Sequence, residues 1–151
     1  MKYKWLNAVL ISLLLLTAGC QTAASPDQNS EAPDEPLTNT YWRLDSLNGK
    51  TVTGAENFRE AHIVLHNDNH RLAGSTGCNT LVGSYRVARE SLTFGQIATT
   101  KMACPEAQMR NEQAMLTILG QVGHWQVSGS TLSLKDADGN LLALFEAVHL
   151  F

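Results

Sequence analysis

Residues 74–79 read Gly-Ser-Thr-Gly-Cys-Asn, and residues 99–105 read Thr-Thr-Lys-Met-Ala-Cys-Pro. Each stretch ends a run that alternates like a β-strand, and each carries one cysteine. Between these two stretches lie residues 81–87 (LVGSYRV), which also alternate like a β-strand and contain Gly83. A glycine inside a strand typically marks a bulge, a bend or a close approach of two backbones. The two stretches therefore predict a small β-rich domain whose sheet curls on itself.

A β-hairpin is predicted on the amino-terminal side of these stretches. Residues 61–66 (AHIVLH) alternate apolar and polar side chains, and residues 71–74 resume after a polar turn. A loop at residues 68–69 would set Leu65 opposite Leu72, so that the apolar side chains of the two strands face the same side. Further strand-like runs cover residues 40–47, 92–102, 124–127, 131–134 and 141–147.

One α-helix is predicted at about residues 105–119. Pro105 suits the first turn, where a helix needs no N–H, and Gly120 suits the end. Apolar side chains at helical spacing indicate a face that packs on the sheet. They are Met109, Met115, Leu116, Ile118 and Leu119. The sequence therefore predicts a mainly β (α+β) domain, namely a small, curled, barrel-like antiparallel sheet with one packed helix.

The amino terminus has the pattern of an export signal. Two lysines precede an apolar run over residues 5–16, whose twelve residues reach about 18 Å as a helix, short of the roughly 30 Å hydrocarbon core. Residues 18–20 (AGC) resemble a bacterial lipobox, which implies a lipoprotein signal peptide at residues 1–19 and a lipidated Cys20. In enteric bacteria, lipoproteins that stay in the inner membrane have Asp directly after the lipidated cysteine. This chain has Gln21 at that position, which implies the outer membrane. The alternative is an ordinary secreted protein.

Residues 20–39 are predicted to form a disordered acidic tether, and residues 40–151 the folded domain. The tether holds three prolines, four acidic residues and no basic one, so it cannot bury enough apolar surface to offset the entropy of ordering. Residues 40–151 carry nine Lys or Arg and ten Asp or Glu, without a basic stripe. Because phosphate binding needs clustered cations, nucleic acid is not expected as a partner.

Two cysteines, Cys78 and Cys104, remain once Cys20 is lipidated. An exported protein lies in an oxidising compartment, which favours a structural disulfide between them. The first alternative makes Cys104 a reactive thiol with a low pKa, because it precedes the positive end of the predicted helix. The second alternative leaves both thiols free and buried. The sequence alone keeps all three open.

No metal site, cofactor or catalytic group is predicted. His62, His66 and His70 have the spacing of ligands on a helix, but on a strand His62 and His66 would lie about 13 Å apart, too far for one metal ion. Asp136 and Asp138 resemble the start of a calcium loop without its later glutamate, so an acidic turn is the better interpretation.

Several segments together resemble the META domain of heat-inducible bacterial proteins. They are Trp42 with Leu44, residues 74–79, 83–85, 92–94, 99–105 and 129–134, and Asp138 with Gly139. The resemblance covers about residues 40–148. It implies a compact, mostly antiparallel β-fold with a packed helix, and an association with heat or envelope stress and with antibiotic tolerance. It carries over no catalytic residues.

We therefore expect a non-enzymatic lipoprotein on the periplasmic face of the outer membrane. Its partners would be the membrane, through the lipid anchor, and an envelope protein or an apolar ligand. The candidate binding patch comprises Ser75, Thr76, Asn79, Thr99, Thr100 and Lys101. Two alternatives remain, a periplasmic inhibitor or secretin-pilot-like accessory domain, and a redox factor that uses Cys104.

Overall fold

The computed structural model describes residues 33–54 and 57–149. The predicted signal peptide, Cys20 and the tether up to residue 32 lie outside these residues. No helix within the two described segments has the length and apolarity that a membrane span requires.

The described residues form nine strands, one α-helix and one short 3-10 turn. The strands are β1 Tyr41–Leu47, β2 Lys50–Thr51, β3 His62–His66, β4 Arg71–Ser75, β5 Thr80–Ala88, β6 Ser91–Thr99, β7 His124–Ser128, β8 Thr131–Lys135 and β9 Leu141–Val148. The helix α1 is Glu106–Leu119, and the 3-10 turn is Asp68–His70.

All strand pairs are antiparallel, and the sheet closes into a ring. From β3 to β9 each strand pairs with the next along the chain, while β1 pairs with β3 on one edge and β9 on the other. The short β2 pairs with the end of β1. The predicted fold, a curled antiparallel sheet with one helix, is confirmed.

The hairpin of β3 and β4 has the predicted register. Leu65 lies opposite Leu72, and both side chains are buried. Further along, Gly74 lies opposite Ile63, where a Cβ on residue 74 would stand 2.2 Å from the carbonyl oxygen of His62. The two backbones therefore approach too closely for any other residue at position 74.

The sheet bends where glycines interrupt β5 and β6. The register shifts between Val82 and Ser84, so Gly83 marks the irregularity that its position in a strand predicted. A Cβ on Gly83 would stand 3.2 Å from the carbonyl oxygen of Gly95. At the start of β6 the ring is weakly joined, since β6 and β7 share a single residue pair, Ser91 with His124.

The core fills the inside of the ring. Trp42 and Phe145 are almost fully buried with leucines from most strands, because alternate side chains of each strand point inward. Helix α1 adds Met115, Ile118 and Leu119 to this core, all of them buried.

Two predicted apolar positions are exposed. Met109 was predicted on the packed face of the helix but is 51% exposed, since six residues at 100° each set it about 120° away from Met115. Met102 was included in a strand-like run, but β6 ends at Thr99 and Met102 is 59% exposed.

Residues 33–39 were assigned to the disordered tether, but they pack on the domain. Leu37, the one large apolar side chain among residues 20–39 apart from proline, is buried in the core. Its carbonyl oxygen accepts a hydrogen bond from Nε1 of Trp42 at 2.9 Å, and the backbone N–H of Glu35 donates to the carbonyl of Gly129 at 2.9 Å. The folded part therefore begins before residue 40.

Candidate functional site

The two cysteine stretches meet at a disulfide. The sulphur atoms of Cys78 and Cys104 lie 2.04 Å apart and close a span of 26 residues. Cys78 belongs to the turn between β4 and β5, and Cys104 to the segment between β6 and α1. The bond therefore fixes the start of the helix to the sheet, in agreement with the structural pairing considered from the sequence.

Asn79 joins the same elements by hydrogen bonds. Its side-chain Oδ1 accepts from the hydroxyl of Thr100 at 2.7 Å and from the backbone N–H of Met102 at 2.8 Å. Its side-chain Nδ2 donates to both carboxylate oxygens of Glu112, at 3.2 and 3.0 Å. Because Asn79 is only 3% exposed, its side-chain amide bonds to groups of the protein and not to solvent.

Thr76 completes the network. Its hydroxyl donates to Oε2 of Glu112 at 2.5 Å and accepts from the backbone N–H of Asn79 at 2.9 Å. The backbone N–H of Thr76 donates to the carbonyl of Asn79 at 2.9 Å. Glu112 is not among the residues predicted for this site, although its spacing to Met115 and Leu119 sets a lone acid on the packed face of the helix, which signals a polar partner there.

The candidate binding patch therefore divides into two groups. Ser75, Thr76 and Asn79 are buried, and Thr100 bonds to Asn79 and to the backbone N–H of Thr80. Thr99 is half-buried at the end of β6, and Lys101 is exposed. Most of the polar groups of the patch thus bond within the protein, and its buried residue Thr76 lines an open space beside the patch.

That open space is a cleft of about 330 Å³ between β1, the loop after β2, the β4–β5 turn and α1. The side chains along it are mostly polar or charged, with an aromatic ring at the loop. They are Arg43, Asp45, Thr53, Phe58, Arg59, Glu60, Thr76, Gln108 and Asn111, together with Leu44, Val52, Gly54, Ala61 and Gly77. We refer to this space as the polar cleft.

Three charged residues of the polar cleft, Glu60, Arg59 and Arg43, act on the neighbouring Tyr41. The Tyr41 hydroxyl donates to Oε1 of Glu60 at 3.2 Å, and the Tyr41 ring stacks on His62 with ring centres 4.3 Å apart. Burial, followed by the negative charge of Glu60, raises the pKa of Tyr41 to about 12, although Arg59 and Arg43 oppose this shift. Both arginines therefore lie close enough to act on the same hydroxyl.

Gln108 contributes an unusual group on the helix side of the cleft. Its side-chain oxygen Oε1 is buried and has no hydrogen-bond partner among the described residues. Gln108 stands one helical turn before Glu112, whose two carboxylate oxygens both accept hydrogen bonds, from Thr76 and Asn79. The helix thus presents one satisfied and one unsatisfied polar side chain next to the β4–β5 turn.

The histidines and the acidic turn lie apart from each other. Nδ1 of His62 is 3.0 Å from the carbonyl oxygen of Glu60, and the His70 ring packs against Tyr85. Within residues 33–54 and 57–149, no group of three or more His, Cys, Asp or Glu could hold a metal ion. Asp136 accepts hydrogen bonds from the loop residues between β8 and β9, which hold its pKa below the usual value.

Comparisons with known proteins agree with this fold and motif pattern. The family model of the META domain matches residues 35–149. The chain is 27% identical over 135 residues to Heat shock protein HslJ of Escherichia coli (strain K12), covering 89% of this chain and 91% of the relative.

Two solved structures share the fold at 24% identity. An NMR structure of a protein from Burkholderia xenovorans has a TM-score of 0.63 and covers 83% of this chain and 98% of that one. A second NMR structure has a TM-score of 0.57 and covers 73% and 91%. Since the family model spans most of the chain, including both cysteine stretches, this chain belongs to the META domain family.

Proposed function

We propose that this chain is a non-enzymatic accessory protein of the bacterial envelope that binds a ligand or partner and contributes to tolerance of heat, envelope stress and antibiotics. Its similarity to a protein named as a heat shock protein supports the stress role. The lipobox-like residues 18–20 support a lipid anchor at Cys20, and Gln21 supports the outer membrane. Two or more acyl chains would hold the domain stably at the periplasmic face.

The observation that carries the binding role is the polar cleft. Its walls combine a rigid side, where the disulfide and the Asn79 network fix the β4–β5 turn to α1, with side chains able to donate and accept hydrogen bonds. The cleft has the size and the converging polar groups of a small-molecule site, with a lining more polar than such sites usually have.

The state of Cys104 supports binding over thiol chemistry. Its sulphur is bonded to Cys78, and the nucleophile in thiol chemistry is a free thiolate. Ser75 is engaged as well, because its hydroxyl oxygen accepts from the backbone N–H of Gly77 at 3.1 Å. A redox role for Cys104 would require the disulfide to open first.

The second candidate is an inhibitor or secretin-pilot-like accessory domain that receives a protein segment or an apolar ligand. Side chains fill the inside of the ring, so an apolar ligand would have to bind elsewhere. A groove of about 690 Å³ between residues 34–37 and β7 offers such a place, with Leu37, Trp125 and Val127 along it.

Crosslinking and affinity purification from intact bacteria would test the proposal. The natural chain is compared with a soluble form in which a conventional export signal replaces residues 1–20. We expect the natural chain in the outer-membrane fraction together with a crosslinked partner, and the soluble form in the periplasmic fraction with less of it. Recovery of the natural chain from the cytosol with residues 1–19 still attached would refute the proposal.

A further inference from the structure

We infer that the polar cleft binds a small zwitterion with N–H donors, the chemistry of a free amino acid or a dipeptide. The inference names a ligand for the binding role proposed above and rests on that role. Three independent features of the cleft support it, namely its size, the signs of its charges and the unsatisfied oxygen of Gln108.

The size of the cleft limits the ligand. A volume of about 330 Å³ equals roughly eleven water molecules at their share of liquid volume. A dipeptide of small residues has about that many non-hydrogen atoms. A long acyl chain would not fit inside the cleft as a whole.

The charges around the cleft favour a molecule that carries both signs. Arg43 and Arg59 border it together with Asp45 and Glu60, so the formal charges of the described lining residues cancel. Neither arginine forms an ion pair with a residue of the described segments. All four side chains are exposed, so a bound ion of one sign would meet a like charge as well as an opposite one, whereas a zwitterion can pair its carboxylate with an arginine and its ammonium group with a carboxylate.

Gln108 favours a ligand that donates hydrogen bonds. A buried carbonyl oxygen without a partner destabilises the ligand-free state, because it has lost its bond to water and gained none in exchange. Rotation of the Gln108 side chain would bring this oxygen into the cleft, where a ligand N–H can take the place of water as its donor. Asn111, one turn along the same face, lies beside it and can donate or accept.

The rigid wall makes such a small ligand feasible. Thr76 and Gly77 are held in place by bonds to Glu112 and Ser75, so binding would not have to order them. Preorganisation of this kind raises affinity by lowering the entropy lost on binding.

Nuclear magnetic resonance of the ¹⁵N-labelled mature chain, without its lipid, tests the inference with alanyl-alanine as the probe. We expect saturable shifts at the Gly77 amide and at the side-chain amides of Gln108 and Asn111, at about millimolar concentration, as suits a ligand of this size. The acetylated and amidated dipeptide, which lacks both charges, should bind at least tenfold more weakly. Equal binding of the capped peptide, or no shift at the cleft, would overturn the inference.

A matched pair of variants links binding to Gln108. Gln108→Leu should weaken alanyl-alanine about tenfold, the effect of one hydrogen bond, while Gln113→Leu on the exposed side of the same helix should leave binding unchanged. Arg59→Gln, on the exposed loop, should also weaken binding, and it serves if Gln108→Leu fails to fold. Equal affinity of all three variants and the natural chain would overturn the inference.

The outcome is separable from that of the proposed function. If crosslinking in cells recovers an envelope partner but alanyl-alanine does not bind, the inference fails and the proposed function stands. If alanyl-alanine binds at the cleft but the natural chain is cytosolic with its amino-terminal segment uncut, the envelope role fails and the assignment of the cleft stands.

Discussion

Asn79 and Glu112 are 33 residues apart in the chain, yet one amide nitrogen of Asn79 lies 3.2 and 3.0 Å from the two carboxylate oxygens of Glu112. The pair joins the β4–β5 turn to the middle of α1. The half-buried carboxylate of Glu112 is partly removed from water and needs hydrogen-bond donors, which Asn79 and Thr76 supply. The position of the helix on the ring therefore depends on a polar contact as well as on the apolar face.

Replacing Asn79 with Asp should destabilise the fold. The shape is kept and Oδ1 can still accept from Thr100 and Met102, but the donor toward Glu112 is lost and two carboxylates face each other. We expect a loss of roughly 3 kcal/mol in the free energy of unfolding by urea at pH 7. The exposed Asn67→Asp is the matched control, at about 0.5 kcal/mol or less. Equal losses in the two variants would contradict the role of the contact.

Reduction of the disulfide should lower stability substantially. Closing a loop of 26 residues restricts the unfolded chain, which corresponds to about 3.5 kcal/mol in the chain-entropy model. Urea unfolding with and without dithiothreitol measures this difference. The double variant Cys78→Ser, Cys104→Ser should unfold early in both conditions. Two free thiols in the unfolded, unreduced mature chain would show that the bond does not form.

The local features were predictable from the sequence, and the distant contacts were not. Alternation and loop length fix the pairing of Leu65 with Leu72 because both act within one hairpin. The partner of Glu112 depends on how α1 sits on the ring, which no local pattern encodes. The packing of Leu37 was not predicted for a related reason. The acidic, proline-rich composition of its segment predicts disorder, and only the folded core shows that one leucine of this segment can be buried in it.

Gly74→Ala should be among the most destabilising single substitutions in the sheet. The added Cβ would stand 2.2 Å from the His62 carbonyl oxygen, so β3 and β4 must separate at that point. A loss above roughly 3 kcal/mol is expected from such a clash with backbone. Gly54→Ala, where a Cβ meets no atom of the described residues within 4 Å, provides the control, with a change near zero. Thermal unfolding of both variants is sufficient, and a native-like Gly74→Ala would show that the backbones are not so close.

Tyr41 should titrate at unusually high pH. Its pKa of about 12 results first from burial and then from Glu60, so Glu60→Gln should lower the pKa toward the ordinary value of 10. Since the folded state holds the proton more tightly than the unfolded state, this group's contribution to stability is complete below pH 10 and is lost as pH rises through 12. Ultraviolet titration of tyrosinate measures the shift, with Tyr85 as the internal reference because burial alone raises its pKa. Unchanged titration of Tyr41 in the variant would exclude the contact with Glu60.

A chain that begins at residue 40 should be less stable than one that begins at residue 33. Without residues 33–39 the core loses the Leu37 side chain, which contributes about 2 kcal/mol by burial. Nε1 of the buried Trp42 also loses its acceptor, the Leu37 carbonyl oxygen, at a further cost of about 1–2 kcal/mol. Leu37→Ala in the longer chain separates the two effects, because it removes the side chain and keeps the acceptor. In urea unfolding, the longer chain should therefore be the most stable, Leu37→Ala the next and the shorter chain the least stable. Equal unfolding midpoints for the two chain lengths would show that residues 33–39 belong to the tether and not to the folded domain.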